Sequence, residues 1–159
     1  MAEVLISLGS NVGDRAGQIA KAVASLAEDP EISVKALSSL YETVPVGPVQ
    51  QDDFVNAAVL IETRRAADDL MLRLLAIEAA MGRDRANAVR WGPRVIDLDV
   101  ILYDALSLKT DLIEVPHPRF RERAFVLIPM AEIAPDWRVD GQTLRALAAA
   151  IDPSGVRKK

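Results

Sequence analysis

The run Val95-Ile96-Asp97-Leu98-Asp99-Val100-Ile101-Leu102-Tyr103 constrains this chain more than any other segment. Its apolar, β-branched residues predict a strand from Val95 to Tyr103. Successive side chains on a strand point to opposite faces, so Asp97 and Asp99 share one face while Ile96, Leu98 and Val100 fill the other. Aspartate is depleted in strands, and two on one face repel each other. A shared divalent cation with oxygen ligands is the least costly remedy; the bland alternative is a half-exposed strand whose aspartates pair with nearby arginines. Just upstream, Arg83, Arg85, Arg90 and Arg94 supply planar, permanently charged forks suited to phosphate oxygens. The combination points to metal and phosphate chemistry.

The rest of the chain supplies a sheet for that strand. Val4 to Leu8 is an apolar run that enters a turn at Gly9-Ser10-Asn11-Val12-Gly13-Asp14, with Asp14 placed to cap a helix. Ile19, Val23, Leu26 and Ala27 recur at helical spacing, and that helix should end near Asp29-Pro30. Ile32 to Tyr41 and Phe54 to Thr63 read as strands, separated by a long loop over 43–53. Ala66 to Met81 reads as a helix with Leu70, Leu74, Ile77 and Met81 on one face and Gly82 as its stop. Beyond the strand, Arg121 to Ile133 and Thr143 to Ile151 read as two more helices. The order β, α, β, β, α, β followed by helices predicts an α+β fold: a ferredoxin-like βαββαβ core with an antiparallel sheet, helices on one face, the other face open to ligands, and extra C-terminal helices.

Length and charge bound the function. A chain of 159 residues fits one domain, 1–159. No apolar stretch is long enough to span a bilayer, the first residues lack a basic leader, and there is no cysteine, which together predict a cytoplasmic protein. A net charge of −4 argues against a broad nucleic-acid surface. Yet 14 of the 19 basic residues are arginine, and half of those fall within 83–94 and 119–123, which favours an anion site. There is no glycine-rich phosphate loop, so nucleotide phosphates would have to be held by arginine and metal. With no His/Cys cluster to favour zinc, magnesium is the natural ion.

Three single residues remain ambiguous on spacing alone. His117, the only histidine, lies between Pro116 and Pro118 and suits either packing or a phosphate contact. Asn56, on the same face of its strand as Phe54, could read the edge of a heteroaromatic ring or tie down a loop. Phe125 would ordinarily be a core residue.

Taken together, the chain resembles the 6-hydroxymethyl-7,8-dihydropterin pyrophosphokinase family of folate biosynthesis, over nearly its whole length. The most specific element is Arg90-Trp91-Gly92-Pro93-Arg94-Val95-Ile96-Asp97-Leu98-Asp99-Val100-Ile101. Leu8-Gly9-Ser10-Asn11, Tyr41-Glu42-Thr43, Phe54-Val55-Asn56-Ala57-Ala58 and Pro116-His117-Pro118-Arg119 stand around it in order. The resemblance implies a ferredoxin-like monomer that moves the β,γ-pyrophosphoryl group of ATP onto the pterin hydroxymethyl group and releases AMP. It implies that Asp97 and Asp99 hold two magnesium ions and that Arg83 and Arg94 steady the transferring group. Glu78, Arg85, Arg90 and Trp91 would contact ATP, with His117 and Arg123 as further phosphate or nucleotide contacts. Thr43, Val46 and Asn56 match the pterin-edge positions, and Phe54 and Phe125 the aromatic pair that sandwiches the ring. Trp91 would lie in a loop that closes over the substrates. The partners implied are small molecules, with neither nucleic acid nor membrane.

Two other classes fit parts of the pattern. A ferredoxin-like sheet can present stacking platforms to single-stranded RNA; the acidic charge and the seven aromatic residues count against it. A nucleotidyltransferase would also use two carboxylates and metal, but would release pyrophosphate instead of AMP.

Overall fold

The structure, a computed structural model, describes residues 1–45, 47–82 and 95–159. The chain runs β1 (Ala2–Ser10), α1 (Arg15–Glu28), β2 (Ile32–Leu37), β3 (Tyr41–Thr43), β4 (Phe54–Thr63), α2 (Ala67–Ala80) and β5 (Asp97–Tyr103). Two short strands follow, β6 (Leu108–Lys109) and β7 (Glu114–Val115), then a 3-10 turn (Phe120–Glu122) and α3 (Ala124–Ile133). A hairpin of β8 (Arg138–Val139) and β9 (Gln142–Thr143), α4 (Leu144–Ala150) and β10 (Val156–Lys158) complete it. None of the described helices is long and apolar enough to cross a membrane.

The main sheet is antiparallel. β1 lies between β4 and β5, and β4 carries both β2 and β3 on its other edge. This is the ferredoxin-like arrangement expected from the order of elements, widened by β10 outside β3. The expected strand Ile32 to Tyr41 is broken in two. At the break the Ala58 amide donates to Ser38 Oγ at 2.9 Å and the Ser38 amide to the Ala58 carbonyl at 2.9 Å, so a serine side chain replaces one rung of the ladder. Glu132 of α3 holds the same spot: its carboxylate accepts from the Ser39 amide at 2.9 Å and from the Tyr41 hydroxyl at 2.5 Å.

Helices cover both faces, which corrects the expectation of one open face. Val4, Ile6 and Leu8 of β1, with Leu98 and Val100 of β5, pack against Ile19 and Leu26 of α1 and Leu70, Leu74 and Ile77 of α2. On the opposite face Leu5, Ala58, Ile101 and Leu102 pack against Phe120, α3 (Val126, Leu127, Met130) and Leu144 of α4. A β-bulge makes this second layer possible. The β1–β5 register slips between Leu5 and Ile6, so the neighbours Ile101 and Leu102 both reach the α3 and α4 side, which strict alternation forbids. Beyond the bulge the strand returns to alternation, with Asp97 and Asp99 half-buried and Leu98 and Val100 buried. The second helical layer therefore covers half of that face and leaves the carboxylate half as a cleft.

Helix ends follow local chemistry. Asp14 caps α1 by accepting from the Gly17 amide at 3.0 Å, as expected. The helix expected from Arg121 starts at Ala124 instead, because Arg123 takes an extended conformation (φ −114°, ψ 101°) that separates the 3-10 turn from α3.

Candidate active site

The open half of the sheet is built from β1, β4 and β5. In register, Gly9 of β1 stands opposite Asp97 on one side and Asn56 on the other, and Ser7 stands opposite Asp99 and Ala58. Opposed residues on antiparallel strands share a face, so Asp97, Gly9 and Asn56 form one row across the sheet. Two strand spacings put the carboxylate end of that row roughly 10 Å from the amide end. Gly9 is required at the centre: a Cβ there would lie 2.6 Å from Asn56 Nδ2.

Around this row is a cleft of ≈ 710 Å³ whose lining includes Asp97, Asp99, Gly9, Asn56, Phe54 and Phe125. The structure thus brings together seven of the candidate site residues expected from sequence: Asp97, Asp99, Asn56, Phe54, Phe125, Thr43 and Arg123. Phe125, an expected core residue on composition alone, is only half-buried and faces the cleft, with the Arg123 guanidinium 5.8 Å from its ring centre. At the amide end, Thr43 Oγ1 donates to Asn56 Oδ1 at 2.6 Å, and Asn56 Nδ2 donates to the Leu8 carbonyl at 3.3 Å. Both side chains are buried, which fixes the orientation of the amide.

Two expected residues stand behind the lining. Glu78 is buried on α2, on the face of β5 away from the aspartates, and its Oε2 accepts from the Leu98 amide at 2.8 Å. It grips the strand between Asp97 and Asp99. His117 hangs from β5 through its amide, which donates to the Ile101 carbonyl at 2.9 Å, and its Nδ1 accepts from the Arg119 amide at 3.2 Å. Burial, then the neighbouring Arg123 charge, holds its imidazole below the ordinary histidine range, against the pull of Glu114 and Asp97. A neutral ring whose Nδ1 accepts carries its proton on Nε2, so His117 is a hydrogen-bond donor at neutral pH. Arg83, Arg85, Arg90, Trp91, Arg94 and Val46 lie outside the described residues.

Other lining residues escaped the sequence reading. Ser7 and Gly9 share the site face with Leu5 by simple alternation, and that was the available signal. Arg119, part of the arginine-rich window 119–123, lines the cleft from the turn before α3 together with Glu122, and Ile151 to Val156 supply another wall; nothing in the local pattern of Glu122 or of 151–156 marks them. Asn11, the first residue after β1, also acquires a role, because its Nδ2 donates to Gln51 Oε1 at 2.7 Å and to the Asp52 carbonyl at 3.0 Å, tying the long loop to the end of β1.

Residues 5–135 match the family described as 7,8-dihydro-6-hydroxymethylpterin-pyrophosphokinase (HPPK). A protein of Methylorubrum extorquens named 2-amino-4-hydroxy-6-hydroxymethyldihydropteridine pyrophosphokinase is 48% identical over 158 residues, 99% of each chain. A Bacillus subtilis protein of the same name is 43% identical over 152 residues, 96% of this chain and 87% of its own. In three dimensions the chain is similar to a crystal structure of Plasmodium falciparum HPPK-DHPS with pteroate, with a TM-score of 0.71 and 14% identity. That likeness covers 93% of this chain and 44% of the longer one, so the chain spans under half of that protein and shares its fold in that part.

Proposed function

This chain belongs to the 7,8-dihydro-6-hydroxymethylpterin-pyrophosphokinase family, and from that membership we infer how its cleft works. The enzyme is a diphosphotransferase of folate biosynthesis: it moves the pyrophosphoryl group of ATP onto 6-hydroxymethyl-7,8-dihydropterin, giving the pterin diphosphate and AMP. The observation that carries the site reading is the single row Asp97, Gly9, Asn56, which sets a carboxylate pair and a ring-reading amide in one cleft.

The pterin ring lies over Gly9 between Phe54 and Phe125. Its amide edge meets Asn56 and Thr43, whose mutual hydrogen bond presents fixed donors and acceptors. The row then carries the ring's hydroxymethyl arm toward Asp97 and Asp99. A site that hydrogen-bonds a ring edge rejects analogues lacking that edge, because buried polar groups would be left unpaired.

The donor set fits magnesium: two half-buried carboxylates on one strand face, lining a cleft that takes phosphates, with no softer ligand among the described lining residues. Two ions held there would neutralise the β- and γ-phosphate oxygens and polarise the acceptor hydroxyl. The protein's own share is positioning. Asp97 and Asp99 are held in place by Glu78 behind Leu98, Arg123 and the His117 Nε2 donor add fixed positive character, and Arg83 and Arg94 steady the transferring group. Arg85, Arg90 and Trp91 complete the ATP contacts. We place the enzyme in the cytoplasm as a monomer.

Manganese binding with a non-hydrolysable ATP analogue tests the ion assignment. Two ions per wild-type chain, and loss of at least one in Asp97→Ala with the fold retained, are expected; unchanged stoichiometry in Asp97→Ala would overturn it.

A further inference from the structure

The family match stops at residue 135, yet the cleft wall facing Thr43, Val44 and Pro45 is made by Ile151, Asp152, Ser154, Gly155 and Val156. We propose that the last nine residues, 151–159, are a specificity-determining wall for the pterin ring, which both closes one side of the ring's slot and holds the ring-edge segment 43–45 in place. The proposal rests on the reading that this cleft takes a pterin.

The attachment is built for that task. β10 pairs with β3 residue for residue, Val156 opposite Thr43, Arg157 opposite Glu42 and Lys158 opposite Tyr41. The ladder runs past the strand at both ends, where the Val44 amide donates to the Gly155 carbonyl at 2.9 Å and the Lys159 amide to the Leu40 carbonyl at 2.8 Å. The backbone that bears Thr43 therefore has β4 on one side and the chain's last strand on the other.

A three-residue edge strand is too short to be held by a ladder alone. Charge supplies the rest. Arg157 lies 2.9 Å from Glu42 and 3.6 Å from Asp53, and Lys159 lies 3.8 Å from Glu42. Arg15 makes a parallel bridge, at 3.3 Å to Glu42 and with its Nη1 donating to the Asp53 carbonyl at 2.9 Å. Glu42 lies just before the long loop and Asp53 is its last residue, so Arg157 fastens the two ends of the loop to each other through β10. Upstream, Asp152 shapes the turn into β10 by accepting from the Ser154 amide at 2.9 Å and the Ser154 hydroxyl at 2.6 Å. That turn brings the half-buried Ile151 and Val156 to the cleft beside Val44.

The consequence is selective. The carboxylates stand on β5, at the far end of the sheet order β10-β3-β4-β1-β5 from the wall, so changes in the wall should act on the pterin and spare ATP. The test is calorimetric titration of the full chain with 6-hydroxymethyl-7,8-dihydropterin in the presence of an ATP analogue, and separately with the analogue alone. Val156→Trp, which crowds the slot, and deletion of residues 155–159, which frees Thr43 and Val44, should each weaken pterin binding by about tenfold or more while nucleotide affinity stays within about twofold. If either change prevents folding, Val156→Ala, which only removes atoms, should still weaken pterin binding by about threefold. Wild-type pterin affinity in the folded variants would overturn the wall, and so would equal losses for pterin and nucleotide. A wild-type protein that binds the nucleotide but no pterin would overturn the reading of the cleft itself.

Discussion

Gly9→Ala adds one methyl group to the floor of the cleft. The new Cβ would sit 2.6 Å from Asn56 Nδ2 and 3.7 Å from Phe54 Cδ1. The asparagine must retreat by about 0.8 Å to reach ordinary contact near 3.4 Å. It has little room to do so, since it is buried and its Oδ1 already accepts from Thr43 at 2.6 Å while its Nδ2 donates to the Leu8 carbonyl at 3.3 Å. A shift of that size breaks the first bond and lengthens the second. At a net ~1 kcal/mol each, the loss comes to about 2 kcal/mol of stability, or a melting temperature lower by about 4–8 °C. The pterin loses the same fixed amide, so its affinity should fall by about 10- to 100-fold. ATP-analogue affinity should change by less than about twofold, because the Asn56 amide that the new methyl group displaces lies at the ring end of the row. Thermal melting and separate titrations with pterin and nucleotide read all three effects. Wild-type pterin affinity in Gly9→Ala would refute the placement of the ring over Gly9, and an equal loss of nucleotide affinity would refute the division of the cleft into two ends.

Other residues give independent expectations. Glu78→Ala leaves the buried Leu98 amide without its side-chain acceptor and should cost about 1–3 kcal/mol; Glu78→Gln keeps an acceptor oxygen and should lose less, so equal destabilisation of the two in denaturant melts would contradict the clamp. Asp29, nearly fully buried, accepts from Arg65 Nε at 3.0 Å, Arg73 Nε at 3.2 Å and the Glu31 amide at 2.9 Å. Burial alone would raise its carboxyl, but these three contacts prevail and hold it below the ordinary aspartate range. Its contribution is therefore complete above the unfolded value of about 3.9 and is lost as pH falls below it. Asp29→Asn should be less stable by about 3 kcal/mol at pH 7 and should show a shallower loss of stability between about pH 5 and pH 2; parallel pH profiles for the two proteins would contradict this. Tyr41, buried and donating to the Glu132 carboxylate, is pushed up to about 12, so ultraviolet titration should show no Tyr41 ionisation at pH 10.

Much of the fold was legible because its period is strong. Phe54 to Thr63 is a strand with those very bounds, and α1 and α2 begin and end within a residue or so of the expected positions. The late start of α3 follows from the local conformation of Arg123, but the other misses share a cause: they depend on contacts distant in sequence. Ser38 breaks the strand after Ile32 because it meets Ala58 across the sheet. Leu102 leaves the alternation because β5 bulges against β1. β10 was invisible as a strand, since three residues carry no period and its partner lies more than a hundred positions earlier. In the site, Asp97 and Asp99 announced themselves by two charges in an apolar strand. Phe125 did not, because an aromatic at a helix start is ordinarily core, and only the cleft left uncovered by α3 and α4 gives it another purpose.

The most direct test of the account is a product analysis by phosphorus NMR of the purified protein with MgATP and 6-hydroxymethyl-7,8-dihydropterin, with controls lacking the pterin or the metal. AMP and a pterin diphosphate in equal amounts, formed only when pterin and magnesium are both present, are the expected products. ADP with a pterin monophosphate, or pyrophosphate with AMP attached to the pterin, would contradict it.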